Sequence, residues 1–132
     1  MSVQIIEAYY RSFNARDYVG MLALLDDDVV HEINEGEREV GIDLFRAFLE
    51  RMDRGYREQV TELVVMSEPG AVRFAAEFTV VGEYLQAAPG MPEAHGQSYE
   101  LAAGAFFELD DGIIQRVTSY YNLRDWLQQI GG

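Results

Sequence analysis

The segment VVHEINEG, residues 29–36, carries polar side chains that could transfer protons, in a pattern typical of a β-strand. Because successive side chains of a strand point to opposite faces, His31 would lie with Val29 and Ile33, and Glu32 and Asn34 would lie on the other face. Whichever face is buried therefore carries a polar group with it. A buried polar group without a partner costs about 1 to 3 kcal/mol, so we expect these side chains to meet hydrogen-bonding partners.

These residue types could form a site for general acid and base catalysis on a carbonyl compound. His31 paired with Glu32, or with Glu77 from the apolar segment AAEFTV, would supply a base and its orienting partner. Asn34 and Tyr9 could donate hydrogen bonds to a developing oxyanion. The aromatic residues expected to hold an apolar substrate are Tyr84, Tyr99, Phe107, Tyr121 and Trp126.

Each proposed catalytic residue also has a purely structural interpretation. His31 could be an ordinary core or surface histidine, and Glu32 and Glu77 could lie on the solvated sides of their strands. Asn34 stands before EG, where it suits a turn. Tyr9 lies on an amphipathic stripe and could belong to the core.

The composition excludes several classes of function. Ten Lys and Arg against 23 Asp and Glu give a net charge of −13, which repels nucleic acid and anionic membrane surfaces. The chain has no cysteine, its two histidines stand far apart, and neither GxGxxG nor GxSxG occurs. We therefore expect no metal, no cofactor, no nucleic acid and no membrane partner.

The N-terminal sequence MSVQIIEAYY lacks the basic start and the long apolar core of a signal peptide. No run of 18 apolar residues occurs anywhere in the chain. We expect a cytoplasmic protein with one domain over residues 1–132.

The periodicity of apolar residues predicts an α+β domain. Helical spacing indicates helices over about residues 3–15, with Ser2 as N-cap, over a short segment after Asp17, over 42–53 and after Asn122. A period of two indicates four strands at about 56–67, 71–85, 98–109 and 113–122, in an antiparallel sheet with a fifth strand at 29–34. The connection at 86–97 could be a semi-rigid lid or an ordinary long hairpin loop.

The segment LAAGAFF, residues 101–107, has small or apolar residues on both of its alternating faces. A strand that is apolar on both sides has both sides covered, one by the pocket or the helices and the other by a second subunit. We therefore expect a homodimer that associates through the outer face of the sheet.

The order of elements resembles the cystatin-like α+β cone shared by nuclear transport factor 2, ketosteroid isomerase and the polyketide cyclases called SnoaL-like. YYRSFNARDYVGMLALLDDDV is similar to the opening of that superfamily, and FFELDDGIIQRVTSYYN to its closing hairpin. HEINEGEREVG, AAEFTVVGEY and GAFFELDDGIIQRVTSYYNLRDW most resemble a group called ketosteroid isomerase-related proteins. The resemblance implies a curved antiparallel or mixed sheet wrapped around N-terminal helices, with a C-terminal helix and an apolar pocket.

The catalytic pattern of ketosteroid isomerase carries over only in part. Its helix tyrosine, which donates to the developing enolate, corresponds to Tyr9. The position of its proton-shuttling strand aspartate holds Ile33, with Glu32 and Asn34 on either side, and its second aspartate falls near Ala105. Two of the three positions cannot transfer a proton, so the resemblance does not imply isomerisation of Δ5-3-ketosteroids by that mechanism.

Residues and resemblance together predict a cofactor-independent isomerase, cyclase or dehydratase that acts on a small apolar carbonyl compound. The alternative is a non-catalytic domain whose pocket only holds a hydrophobic ligand, or whose sheet only mediates dimerisation. Catalysis requires a carboxylate and His31 in the pocket with a donor in reach, whereas a carrier requires only apolar walls.

Overall fold

The computed structural model describes residues 3–34 and 36–131. Ser2, the expected N-cap of the first helix, lies outside these residues. The helices are α1 (Val3–Asn14), α2 (Tyr18–Leu22), α3 (Ile42–Gly55) and α4 (Leu123–Gly131). The strands are β1 (Leu25–Ile33), β2 (Glu39–Val40), β3 (Tyr56–Ser67), β4 (Arg73–Tyr84), β5 (Gln97–Asp110) and β6 (Ile113–Tyr121).

The strands form one mixed sheet in the order β2-β1-β6-β5-β4-β3. Three consecutive antiparallel pairings join β3 to β6, whereas β1 runs parallel to β6. The α+β cone with a mixed sheet is therefore confirmed. The antiparallel pairing expected from the periodicity holds from β3 to β6, but the fifth strand, β1, pairs in parallel. Strand β1 also begins earlier than expected, at Leu25, and its first aspartates lie outside the regular ladder. There the backbone N–H of Asp28 donates to Asp26 Oδ2 at 2.9 Å.

Helix α1 is fixed to the edge strand β3 by the side chain of Asn14. Its Nδ2 donates to the Val60 carbonyl at 2.9 Å, and its Oδ1 accepts from the Val60 N–H at 2.8 Å. A single amide thereby pairs both backbone groups of an edge residue, which would otherwise remain open. The contact holds the helix across the concave side of the sheet.

Two clusters of buried side chains divide the interior. The larger lies between α1, α3 and the sheet and includes Ile6, Phe45 and Phe107, and the smaller surrounds Tyr84 and Trp126 near α4. The last helix begins as predicted, because Asn122 Oδ1 accepts from the N–H of Asp125 at 3.0 Å. None of the helices in the described part of the chain is long and apolar enough to cross a membrane.

The connection at 86–97 is held by polar contacts to the strands around it and to α4. The Tyr84 hydroxyl donates to the Pro92 carbonyl at 2.7 Å, and Gln97 Nε2 donates to the carbonyls of Glu93 and Ile130 at 2.8 and 2.7 Å. It packs over the smaller cluster through Met91 and Ala94. The segment is thus an ordered connection that fixes α4 against β5.

Candidate functional site

A cavity of about 230 Å³ lies between the concave face of the sheet and helices α1 and α3. A dry apolar cavity of about 150 Å³ in another protein binds benzene, so this one can hold a molecule of one or two rings. Its apolar walls come from both buried clusters, including Met21, Leu49, Phe78, Leu101 and Trp126. No described residue of the 86–97 connection lines it.

Glu58 brings a carboxyl group into this apolar space. It points inward from β3 with Tyr56 and Val60, and it is the one carboxylate or cationic side chain among the described lining residues. The hydroxyl of Tyr99 on β5 donates to Glu58 Oε2. Gly82 lies between them on β4, in register with both residues. A Cβ at Gly82 would stand 2.5 Å from the Tyr99 ring, so the missing side chain provides the space in which that ring crosses the strand.

The environment of Glu58 favours its protonated form. Burial raises the pKa of the Glu58 carboxyl above its ordinary value of 4.5, and the hydrogen bond from Tyr99 lowers the same pKa by a smaller amount. The side chain keeps some accessible surface because it borders the cavity, while the protein around it excludes most solvent. A carboxyl with a raised pKa can exchange protons closer to neutral pH than an exposed glutamate.

His31 also lines the cavity, from the inner face of β1. Its ring packs against the rings of Phe45 and Phe48, with centroid distances of 4.3 and 4.6 Å. The pKa of His31 is lowered to about 4, mostly by burial and in smaller part by the charge of Arg51, while the charge of Glu32 acts in the opposite direction. The imidazole is therefore neutral at physiological pH and keeps one N–H donor. Among the described residues, none forms a hydrogen bond with this ring.

Tyrosine hydroxyls supply further donors in the cavity. Tyr9 lines the cavity, and its ring packs against the rings of Tyr10 and Phe107, with centroid distances of 5.0 and 5.5 Å. Burial raises the pKa of the Tyr9 hydroxyl, which keeps it protonated and able to donate. The pKa of Tyr56 is raised to about 12, mostly by burial and to a smaller extent by the charge of Tyr84. Tyr121, whose pKa is raised by burial and by the Glu58 charge, lies in the same wall.

The prediction that Glu32 and Asn34 face the pocket is wrong, because the His31 side of β1 is the inner one. Glu32 Oε1 accepts from the Thr118 hydroxyl at 2.8 Å, on the opposite face of the sheet. Asn34 adopts a left-handed backbone conformation with φ of 45°, and its Oδ1 accepts from the Tyr121 N–H at 2.9 Å. It closes the end of the β1–β6 pair, which agrees with its structural interpretation.

The prediction that Glu77 lies in the pocket is also wrong. It is exposed on the outer face of β4, while Phe74, Ala76 and Phe78 occupy the inner face. In the sequence, Glu77 shares its face of the strand with Arg73 and Thr79, which already indicated a polar side. The structure thus separates two glutamates of the sheet, with Glu58 inside the cone and Glu77 outside it.

The predicted aromatic residues fall into two groups. Tyr121 and Trp126 line the cavity, as expected. Tyr84, Tyr99 and Phe107 do not border it, because each is buried behind the wall. Tyr99 acts through its bond to Glu58, Tyr84 holds Pro92, and Phe107 supports the ring of Tyr9.

Sequence reasoning missed Glu58 although a signal was present. In YREQVTEL, Tyr56, Glu58 and Val60 alternate with Arg57 and Gln59, so Glu58 shares its face with the larger apolar residues. The polar neighbours on both sides gave it the appearance of an ordinary surface residue. Ser119, which also lines the cavity, was missed as well.

The positions carried over from ketosteroid isomerase occupy the interior without its carboxyl groups. Ile33 lines the cavity and Ala105 is fully buried. Within residues 3–34 and 36–131, no three His, Asp or Glu side chains are grouped so as to hold a metal ion. Among the described residues that line the cavity, the polar side-chain groups are therefore one carboxyl, one imidazole and several hydroxyls.

The chain belongs to the SnoaL-like domain family, whose model matches residues 6–117. The family explains the cone, because the match covers most of α1, all of α2 and α3, the opening strand and most of the sheet. No protein of curated function matches the sequence.

Solved structures of close relatives share the whole fold. A protein from Pseudomonas putida, provisionally described as a polyketide cyclase, is 51% identical, with 98% of each chain covered and a TM-score of 0.96. A protein with the same description from a Silicibacter species is 49% identical, with 99% of this chain and 96% of that chain covered and a TM-score of 0.97. A third, from Xanthomonas campestris, is 45% identical over 97% of this chain and 95% of that chain, with a TM-score of 0.94.

Proposed function

We propose that the protein is a cofactor-independent enzyme that moves protons on a small apolar carbonyl compound. The observation that carries the proposal is the carboxyl of Glu58, which a buried tyrosine holds at the wall of an apolar cavity whose other described lining residues carry no charge. Isomerases, cyclases and dehydratases share such a step. The provisional description of the close relatives as polyketide cyclases agrees with this class.

The chemistry assigns a role to each polar group. The Glu58 carboxylate takes a proton from the carbon beside the carbonyl, the C–H bond breaks and its electron pair forms an enolate. Tyr9, with its raised pKa, and the N–H of neutral His31 donate to the enolate oxygen. The proton then returns from Glu58 to another carbon in an isomerisation. In a cyclisation the enolate carbon attacks a second carbonyl, and Glu58 returns the proton to the alkoxide that forms.

Exchange of carbon-bound hydrogen tests this step without knowledge of the natural substrate. 2-Tetralone, a two-ring ketone of suitable size, is incubated with the protein in D₂O and followed by proton NMR. We expect the protein to accelerate loss of the α-proton signal and Glu58→Gln to reduce that acceleration by roughly 10² to 10⁴-fold. Glu77→Gln makes the same chemical change on the outer face and should retain the rate.

The alternative, a non-catalytic hydrophobic-ligand carrier, gives a different result in the same experiment. Its support is the predominance of apolar side chains in the wall. A carrier would bind 2-tetralone with equal affinity in the wild type and Glu58→Gln, and neither would accelerate the exchange. That outcome would refute the enzymatic proposal.

We further propose that two copies associate through the outer face of the sheet. Val64, Met66, Phe106 and Tyr120 form an outer-face patch, and each is about half exposed. The rings of Phe106 and Tyr120 contact each other at a centroid distance of 5.9 Å. Small residues, Ala102 and Gly104, leave this surface flat enough for a second sheet to approach.

A further inference from the structure

We infer that the ligand carries an acidic group, a carboxylate or a similar anion, which binds to two arginines at the edge of the cavity. A small crevice lined by Arg16, Tyr18 and Arg57 adjoins the cavity. Crevice and cavity share four lining residues, Phe13, Met52, Tyr56 and Glu58. The inference rests on the proposed function, since it takes the cavity as the place where the substrate binds.

The two arginines are arranged around one carboxylate. Asp53 Oδ1 accepts from Arg16 Nε at 3.0 Å, from Arg16 Nη2 and from the Tyr18 hydroxyl at 2.9 Å. Arg57 Nη1 is 3.7 Å from the same oxygen, which is too far for a hydrogen bond. One negative charge therefore faces two positive charges, and the Arg57 guanidinium makes no hydrogen bond to Asp53. Both arginine side chains are less than half exposed.

The backbone at Arg16 adopts a conformation that does not favour arginine. Its φ is 58°, in the left-handed region that follows a helix end and favours glycine or asparagine. An L-residue other than these is disfavoured in that region, and such residues are concentrated at functional sites. Glycine would fit the turn without that cost but would place no guanidinium beside Asp53.

The charge distribution of the protein also favours binding of an acidic group at the crevice. The chain has a net charge of −13, yet the segment RMDRGYR, residues 51–57, brings three of its ten basic residues to the end of α3. No arginine lines the cavity itself among the described residues. An acidic group would therefore be disfavoured inside and favoured at the crevice, with the apolar rings in the cavity.

The position of the crevice relates the acidic group to the reaction. Glu58 lines both spaces, so a ligand that extends from the crevice into the cavity would pass beside this residue. A neighbouring negative charge favours the protonated form of a carboxyl. An acid bound there would thus make the Glu58 carboxylate a stronger base for the first proton transfer.

A pair of probes that differ only in charge tests the inference. 1-Naphthaleneacetate and its neutral amide are titrated calorimetrically into the wild type, Arg57→Gln and Arg16→Gly at low salt. We expect the wild type to bind the acid about three- to fivefold more tightly than the amide, as a half-exposed ion pair predicts. Each variant should lose most of this preference while it keeps its affinity for the amide. Arg46→Gln, at the other end of α3 and paired with Asp43, is the matched control and should keep the preference.

The outcomes separate the inference from the proposed function. Equal binding of acid and amide by the wild type, or a preference that survives in the Arg16→Gly/Arg57→Gln double variant, would overturn the acidic-group inference alone. Failure of the amide itself to bind would refute the cavity as the substrate site and with it both proposals. Thermal unfolding of Arg16→Gly checks that the variant is folded, which is expected because glycine suits the left-handed turn.

Discussion

Two glutamates in similar strand contexts have opposite environments in this cone. Glu58 points into the apolar cavity and is bound by Tyr99, whereas Glu77 lies exposed on the outer face. The difference arises from parity along the strand, because neighbouring positions of a strand face opposite sides. A carboxyl on the inner side has its pKa raised by burial, and that property is what suits Glu58 to proton transfer.

His31 makes the stability of the protein depend on pH. Its pKa is about 4 in the folded protein against 6.5 for an ordinary histidine, so the unfolded chain binds a proton more readily than the folded one. The stability associated with neutral His31 is therefore complete above pH 6.5 and is lost as the pH falls toward 4. We expect a loss in the free energy of unfolding on the order of 3 kcal/mol from this group, and a much smaller loss in His31→Gln.

Urea denaturation at several pH values across that interval measures the effect. His95→Gln, on the exposed 86–97 connection, controls for removal of a histidine and should follow the wild type. Parallel stability curves for the wild type and His31→Gln would refute the buried, neutral state of His31.

At the scale of elements, strand β4 shapes the site through a position without a side chain, Gly82. Gly82 leaves a gap between β3 and β5, and the Tyr99 ring fills that gap on its way to Glu58. The orientation of the carboxyl is thus determined by three neighbouring strands together. A glycine inside a strand commonly marks such a close approach.

Gly82→Ala should destabilise the protein by about 1 to 3 kcal/mol, because its Cβ would overlap the Tyr99 ring. The same change made in a Tyr99→Leu background should cost much less, since the ring is gone. Urea denaturation of the wild type, both single variants and the double variant gives the coupling energy. Equal losses in the two backgrounds would contradict the proposed fit between Gly82 and Tyr99.

The sequence predicted the elements better than it predicted the site. The alternation in YREQVTELVVMS placed β3 at residues 56–67, as observed, and Asn122 marked the start of α4. The parallel pairing of β1 with β6 could not be inferred, because it joins segments more than 80 positions apart, as in the bond from Thr118 to Glu32. Glu58 was missed because its role depends on Tyr99 and Gly82, which only the sheet register brings beside it.

At the scale of the whole molecule, the outer-face patch predicts a dimer. Phe106→Glu would place a charge in the centre of the proposed interface and should convert the protein to a monomer in analytical ultracentrifugation. Little loss of monomer stability is expected, because the Phe106 side chain is 47% exposed. Val19→Glu, at an 81% exposed position on α2, is the control and should remain dimeric. A wild type that sediments as a monomer would contradict the association.

The ionisation of Glu58 can be observed directly by NMR of protein labelled with ¹³C at the glutamate side-chain carboxyl, with Glu58→Gln used to assign the resonance. The proposed mechanism predicts that this carboxyl titrates above the ordinary glutamate pKa of 4.5, and that its resonance shifts when 2-tetralone binds. A Glu58 resonance that titrates with the exposed glutamates and does not respond to the ketone would contradict the proposed role of this carboxyl.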